Sequence, residues 1–376
     1  MWPRSGRPGH RYDAPVPLPE RLLMGPGPGN PYPEVAAAFA RPMLGHLDPA
    51  FVAVLDETCD RLRTVFRTSN PLTLPISGTG SAGMEAAFVN VVEPGAPVVV
   101  GVNGVFGQRM CEVAERCGAD VVRVEVPWGQ PVPAERLLDA HPSPAVIAVV
   151  HAETSTGVRT DVDVLGREKG DALLLVDCVT SLAGIPFEAD AWGVDLAYSG
   201  TQKCLGVPPG LAPLTVSERA RERIVPVPRS WYLDLNLIGR YTGPATGART
   251  YHHTAPISMV SALHAGLGAV LDEGLEASWT RHEACGAQLQ DGLVALGFDL
   301  FAAEGHRLPQ LTTVWLPEGV DDVAVRRTLL ERHSIEVGGG LGDFAGKVWR
   351  VGCMGHTARP RNVVTLLGAL AEVLGR

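Results

Sequence analysis

The sequence predicts an α/β protein, a large layered domain on a mainly parallel sheet sandwiched by helices, followed by a smaller C-terminal α+β domain. Three observations carry that expectation. Short segments that are apolar on both faces, such as Val146-Ile-Ala-Val-Val150 and Leu173-Leu-Leu-Val176, read as strands covered on both sides. They alternate with stretches of helical spacing, the order that builds a parallel sheet. The alternation then gives way to a long helical stretch and a strand–helix–strand–helix order, and 376 residues suit two domains at roughly 100–200 residues each.

In chain order, residues 1–22 read as an N-terminal arm, because the start is rich in Arg, Pro and Gly and lacks the apolar run of a secretory signal. Pro31 to about Phe66 is helical, with Val52, Leu55, Leu62 and Val65 at helix-like spacing. The strands expected next are Pro97–Val102, Asp120–Val124, Ala145–Val150, Ala172–Val176 and Val194–Ser199. From about Ser258 to Leu296 the apolar residues again follow helical spacing with few breakers. Thr312–Leu316, Asp322–His333, Lys347–Val351 and a last helix to about Leu374 complete the small domain. The expected domains are 23–264, the large one, and 265–376.

Composition excludes several classes of function. A net charge of −9 with no basic tract argues against nucleic acid as a partner. No run of about 18 uncharged apolar residues suggests a membrane span. Seven cysteines, an odd number without a CxxC, fit reduced thiols and a cytoplasmic protein. The 43 glycines and 31 prolines are scattered through apolar segments and read as tight turns. Tyr251-His-His-Thr254 is not a chelating pair, since adjacent residues of an extended segment point to opposite faces. No metal is expected.

The chemistry concentrates where expected strands end. Lys203 follows a strand and a Ser199-Gly-Thr-Gln202 turn, and a partly desolvated amine there is nucleophilic toward an aldehyde cofactor. Asp177 ends a wholly apolar strand, which suits either a helix cap or a carboxylate facing a cofactor ring nitrogen. Lys203 lies 26 positions on, at the end of the next strand, and that pairing favours the cofactor. Ser77-Gly-Thr-Gly-Ser81 precedes a helical run and reads as a helix cap or a phosphate turn. His151-Ala-Glu-Thr-Ser-Thr-Gly157 reads as a polar turn. Arg350, alone on an apolar strand, implies a buried anionic partner, either an internal acid or a substrate carboxylate.

Six segments in the same order resemble one family. They are Gly25-Pro-Gly-Pro-Gly-Asn30, Asn70-Pro-Leu-Thr-Leu74 with Ser77–Ser81, His151–Gly157, Ser199–Gly210, Tyr251–Thr254 and Lys347-Val-Trp-Arg-Val-Gly352. The resemblance, from about Leu23 to Leu374, is to the alanine–glyoxylate and serine–pyruvate aminotransferases, class V of the fold-type-I pyridoxal-phosphate enzymes. It implies pyridoxal 5'-phosphate held by Lys203 as a Schiff base, with Lys203 later shuttling a proton. Asp177 would pair with the ring nitrogen, Val179 would touch one ring face and Phe106 would stack on the other. Thr79, Gly80, Ser81 and Gln202 would hold the phosphate, joined by Tyr251 and Thr254 from a partner subunit, so that a homodimer shares its active sites. Thr154 would lie near the phenolic oxygen, and Gly27 and Arg350 would bind the substrate carboxylate.

The implied reaction moves an amino group from alanine or serine to glyoxylate or pyruvate in two half-reactions. The chain departs from the family pattern in two places. Phe106 stands where mammalian members have Trp, and a Phe still stacks. Ser81-Ala82 stands where some members have His-Cys, which removes one imidazole from the phosphate turn. Rival readings are a ureidoglycine-using relative and a class V lyase such as a cysteine desulfurase, for which Cys353 is the nearest candidate thiol.

Overall fold

The computed structural model describes residues 18–242 and 249–376, so the expected arm lies outside the described residues apart from its last five positions. Seven segments pair into one sheet: β1 (Leu72–Ser77), β2 (Pro97–Val102), β3 (Asp120–Glu125), β4 (Val146–Val150), β5 (Leu173–Asp177), β6 (Leu196–Tyr198) and β7 (Leu211–Val216). Their order across the sheet is β1-β7-β6-β5-β4-β2-β3. The β6-β5-β4-β2-β3 run is parallel throughout, whereas β7 is antiparallel to both its neighbours. The expected mainly parallel sheet is therefore present, with one reversed strand that the sequence pattern did not reveal. Proline interrupts β7 at Pro213, which faces Pro75 of β1 across the ladder, and a Pro inside an apolar run speaks against a central strand.

Strand periodicity divides the sheet's side chains between two cores. Val99, Ile147, Leu174, Val176 and Ala197 join Phe51, Leu55 and Leu62 of one helical layer. Val98, Val100, Ala148, Leu175 and Leu196 join Met84, Phe88 and Met110 of the other. Both faces are apolar because both are covered, which is why the strands show no polar alternation. The covering helices include α1 (Pro33–Phe39), α2 (Pro49–Phe66), α3 (Gly80–Val91), α4 (Val105–Arg116) and α5 (Ile257–Glu273).

Two helical expectations are corrected. The stretch from Pro31 to Phe66 is two helices separated by residues 40–48, and Asp48 caps the second by accepting from the Ala50 N–H ahead of Pro49. The stretch from Ser258 to Leu296 breaks at Gly274, whose φ of 89° no helix accommodates, giving α5 and then α6 (Leu275–Ala295).

A third core follows. It joins α6, α7 (Asp322–Arg332) and α8 (Pro360–Leu374) to an antiparallel sheet of β8 (Asp299–Leu300), β9 (Leu311–Trp315), β10 (Gly338–Gly339) and β11 (Val348–Gly352). Residue 265 lies within α5, and the first residue of α6 in this third core is Cys285. The N-terminal segment is stitched into the same body: Leu22 and Leu23 pair in parallel with Ile335 and Glu336, and Met24 is fully buried there. The Gly352 N–H donates to the Met24 carbonyl, 2.8 Å away, and so brings the Gly25–Gly29 loop beside the end of β11.

Candidate functional site

Five strands of the large sheet deliver polar residues at their carboxyl ends, the edge where open α/β sheets build their sites. Asp177 closes β5 and is buried. Its Oδ1 accepts from the Val179 N–H and its Oδ2 from the Tyr198 hydroxyl, each at 2.8 Å. Burial pushes the carboxyl up to about 7 against those two bonds, the nearby Glu153 adds to the rise, and the Lys203 charge opposes it.

Lys203 follows β6 through the Ser199–Gln202 turn. Its Nζ donates to the carbonyl of Pro26. Burial holds its ammonium down to about 8, with the Arg350 charge acting in the same direction. Gly27 sits against this amine at a φ of 105°, and a Cβ there would lie 2.5 Å from Nζ. The position therefore needs glycine for both conformation and space.

Arg350, on β11, brings the small sheet to the same place. Its Nε donates to the Gly339 carbonyl at 2.9 Å and its Nη1 to the Thr154 carbonyl at 3.4 Å. Burial lowers the guanidinium pKa from its ordinary value, and Glu153 partly offsets this. Thr154 packs hydroxyl to hydroxyl with Thr180 at 2.6 Å.

Glu153 is a site residue that the sequence reading left inside a polar turn. It is fully buried, and one carboxylate oxygen accepts from the N–H groups of Phe106 and Gly107 at 3.2 and 3.3 Å. The other accepts from the N–H and hydroxyl of Ser155 at 2.9 and 2.6 Å, while the Ser155 hydroxyl accepts from the Val105 N–H. Burial raises its pKa against these donors. The start of α4, and with it Phe106, is thus held by an acid 47 positions away. The available signal was an acid closely following a wholly apolar strand, the same cue that marked Asp177.

The Ser77–Ser81 turn joins β1 to α3. Thr79 is the N-cap, its side chain makes no capping bond, and the first amides of a helix have no partner within it. Gly80 packs against Val179, where an added Cβ would lie 3.0 Å from Cγ2. Ser81 is exposed and 3.5 Å from Arg109 Nη1, and the Arg109 guanidinium lies 4.9 Å over the Phe106 ring. Gln202 Oε1 is buried without a hydrogen-bond partner.

Gly27, Lys203, Asp177, Thr154 and Arg350 are thus brought into one crevice, with Val179, Gly80 and Phe106 at its edges. Tyr251 and Thr254 are exposed, their hydroxyls 3.4 Å apart, and they reach this region through His253, whose Nε2 lies 2.7 Å from Ser77 Oγ. No group of three or more His, Cys, Asp or Glu placed to hold a metal ion occurs among the described residues. No helix among them is long and apolar enough to cross a membrane.

The family description "Aminotransferase class-V" matches residues 29–346. An alanine–glyoxylate aminotransferase of Callithrix jacchus is 40% identical over 96% of this chain and 89% of its own length. An (S)-ureidoglycine–glyoxylate transaminase of Bacillus subtilis is 37% identical over 95% of this chain and 91% of its own. The crystal structure of an alanine–glyoxylate aminotransferase from Nostoc sp. superposes with a TM-score of 0.93 at 49% identity, covering 96% of this chain and 97% of that one.

Proposed function

The chain belongs to the class-V aminotransferases, and we propose that it moves an amino group from alanine or serine to glyoxylate or pyruvate, with Lys203 as the catalytic amine. The observation that carries this reading is the burial of Lys203, Asp177 and Arg350 together, with Gly27 against Lys203 Nζ and the charges of Arg350 and Asp177 acting on that amine. The residues present fit pyridoxal phosphate. There is a buried amine, a buried carboxylate at the end of β5 and a helix start for an anion. When bound, that group supplies an electron sink for charge developing at the substrate's α-carbon.

The chain's own residues do the rest. An ammonium held at about 8 leaves part of Lys203 neutral near pH 7, so Nζ can both attack and carry a proton. Asp177 would hold a protonated ring nitrogen, and Phe106 and Val179 would flank the ring. Thr79, Gly80, Ser81 and Gln202 would hold the phosphate, and Thr154 would face the phenolic oxygen. Arg350, whose charge acts on Lys203, would fix a substrate carboxylate together with Gly27 so that the α-hydrogen faces Nζ.

Tyr251 and Thr254, exposed on this chain, would complete the phosphate site of a partner subunit in a homodimer. Light scattering of the pure protein tests that assembly. All seven cysteines are buried and unpaired, which supports a reducing compartment such as the cytoplasm. Cys353 is fully buried, which argues against a lyase with a mobile reactive thiol.

The test is the visible absorbance of the purified protein. We expect a yellow band that bleaches with L-alanine or L-serine and returns with glyoxylate, and that is lost in Lys203→Ala. A Lys203→Ala protein that transaminates at full rate overturns the assignment. The similarity to the Bacillus subtilis transaminase makes ureidoglycine the second donor to try. A band that answers to it but not to alanine or serine moves the donor and leaves the chemistry in place.

A further inference from the structure

Beside the Ser77–Ser81 turn, two adjacent histidines lie in series. Ser77 Oγ is 2.7 Å from His253 Nε2, His253 Nδ1 is 2.8 Å from His252 Nδ1, and His252 Nε2 is 3.1 Å from the Trp231 carbonyl oxygen. A carbonyl only accepts, which fixes the direction of every proton in the row. His252 must donate from Nε2, so its Nδ1, when neutral, is an acceptor. His253 must then donate from Nδ1 and accept at Nε2, and the acceptor there faces the Ser77 hydroxyl. A second proton on His252 would reverse the row, turning His253 to its Nε2–H form and making the Ser77 oxygen an acceptor.

We propose that His252 and His253 are positioning residues: a proton-ordered chain from Ser77 to Trp231 that locks the phosphate turn and the Tyr251–Thr254 segment into one register. The proposal rests on the reading of Ser77–Ser81 as the phosphate cradle. Three independent pieces of chain are joined by it, the end of β1, the 251–254 segment and the loop at Trp231. Their packing agrees, since the His252 ring lies 4.4 Å from that of Trp231, and the His253 ring lies 5.2 Å from Tyr232 and 5.9 Å from Tyr241. These neighbours are aromatic. Burial, with the adjacent His252, lowers the pKa of His253 and keeps it in the neutral form the chain requires. The Ser77 proton is committed to His253, so the donors left for an anion at this turn are the helix amides and the hydroxyls of Thr79 and Ser81.

Two measurements test this. In nitrogen-15 spectra of the full-length protein, His253 is expected as the Nδ1–H tautomer and His252 as the Nε2–H tautomer, and finding His253 as Nε2–H overturns the chain. Separately, Ser77→Ala and His252→Phe, the latter keeping a ring on Trp231, are each expected to raise the dissociation constant for pyridoxal phosphate roughly 3- to 10-fold, the size of one hydrogen bond. The double variant is expected to lose no more than either single one, although residues 77 and 252 do not touch. Unaltered affinity, or effects that multiply, overturns the proposal. A protein that binds no pyridoxal phosphate at all overturns the reading of the turn as a phosphate cradle, while the tautomer result still decides the chain.

Discussion

Asp177 and Lys203 are each shifted toward neutrality by lack of water, the carboxyl up to about 7 and the ammonium down to about 8. Only a neutral amine attacks an aldehyde, so the rate at which cofactor-free protein captures pyridoxal phosphate is expected to rise with pH to a midpoint near 8. A midpoint near the ordinary lysine value of about 10.4 would contradict the buried setting. Replacing Arg350 by Lys keeps the charge and loses the planar fork. We expect KM for both the amino acid and the oxo acid to rise about tenfold or more with a smaller change in kcat, measurable in steady-state kinetics. Asp177 and Arg350 stood out in sequence because each is alone on an apolar strand, and Lys203 because it follows one through a short turn. Glu153 carried the same cue as Asp177, but its partners, the amides of Phe106 and Gly107, come from a different element and adjoin it only once the sheet has formed.

At the scale of elements, α4 sits so close to β2 that a Cβ on Gly107 would fall 2.6 Å from the Gly101 carbonyl oxygen and 3.0 Å from Val102 Cα. These are backbone atoms and cannot step aside. Gly107→Ala is expected to destabilise the fold by about 1–3 kcal/mol in denaturant titration and, by displacing the neighbouring Phe106, to weaken cofactor retention. Unchanged values in both would mean that the helix has room to shift. The helix breaks show how far local signals reach. Asp48-Pro49 is a helix start in plain view, yet the apolar spacing on either side of it read as continuous. Gly274 sits singly between α5 and α6, and one glycine within helical spacing is weak evidence until its positive φ is seen. The reversed strand β7 carries no periodic signal, and its proline argued against it.

The molecule as a whole holds buried groups that pull its stability in opposite directions with pH. His282 and His151 are buried neutral, pushed by desolvation down to about 4 and about 3. The unfolded chain protonates them near 6.5, so stability falls as pH drops from about 6.5 toward 4. Asp177 acts the other way: folded, it keeps its proton up to about 7, whereas unfolded it loses it near 3.9, so stability falls as pH rises through that window. A cation bound against Asp177 removes the second loss. The gain in melting temperature on adding pyridoxal phosphate is therefore expected to grow between pH 5 and 7.5, and a gain that is flat across this range would remove Asp177 from the cofactor's partners. The alternation of covered strands and helices made the layered architecture readable from sequence, whereas the closure of the chain on itself was not, since no local pattern reports a pairing across most of the length.

That closure has a consequence for how the protein is made. Leu22 pairs with Ile335, Lys203 donates to the Pro26 carbonyl, and the Arg350 charge acts on that amine. At roughly 5–20 residues per second a ribosome needs tens of seconds to travel from the first of these positions to the last. Until then the amino-terminal segment waits with Met24 unburied, and the crevice has only one of its walls. Stable retention of pyridoxal phosphate is therefore expected only in chains that extend through residue 350, and comparing nascent chains stalled on either side of that residue would check it.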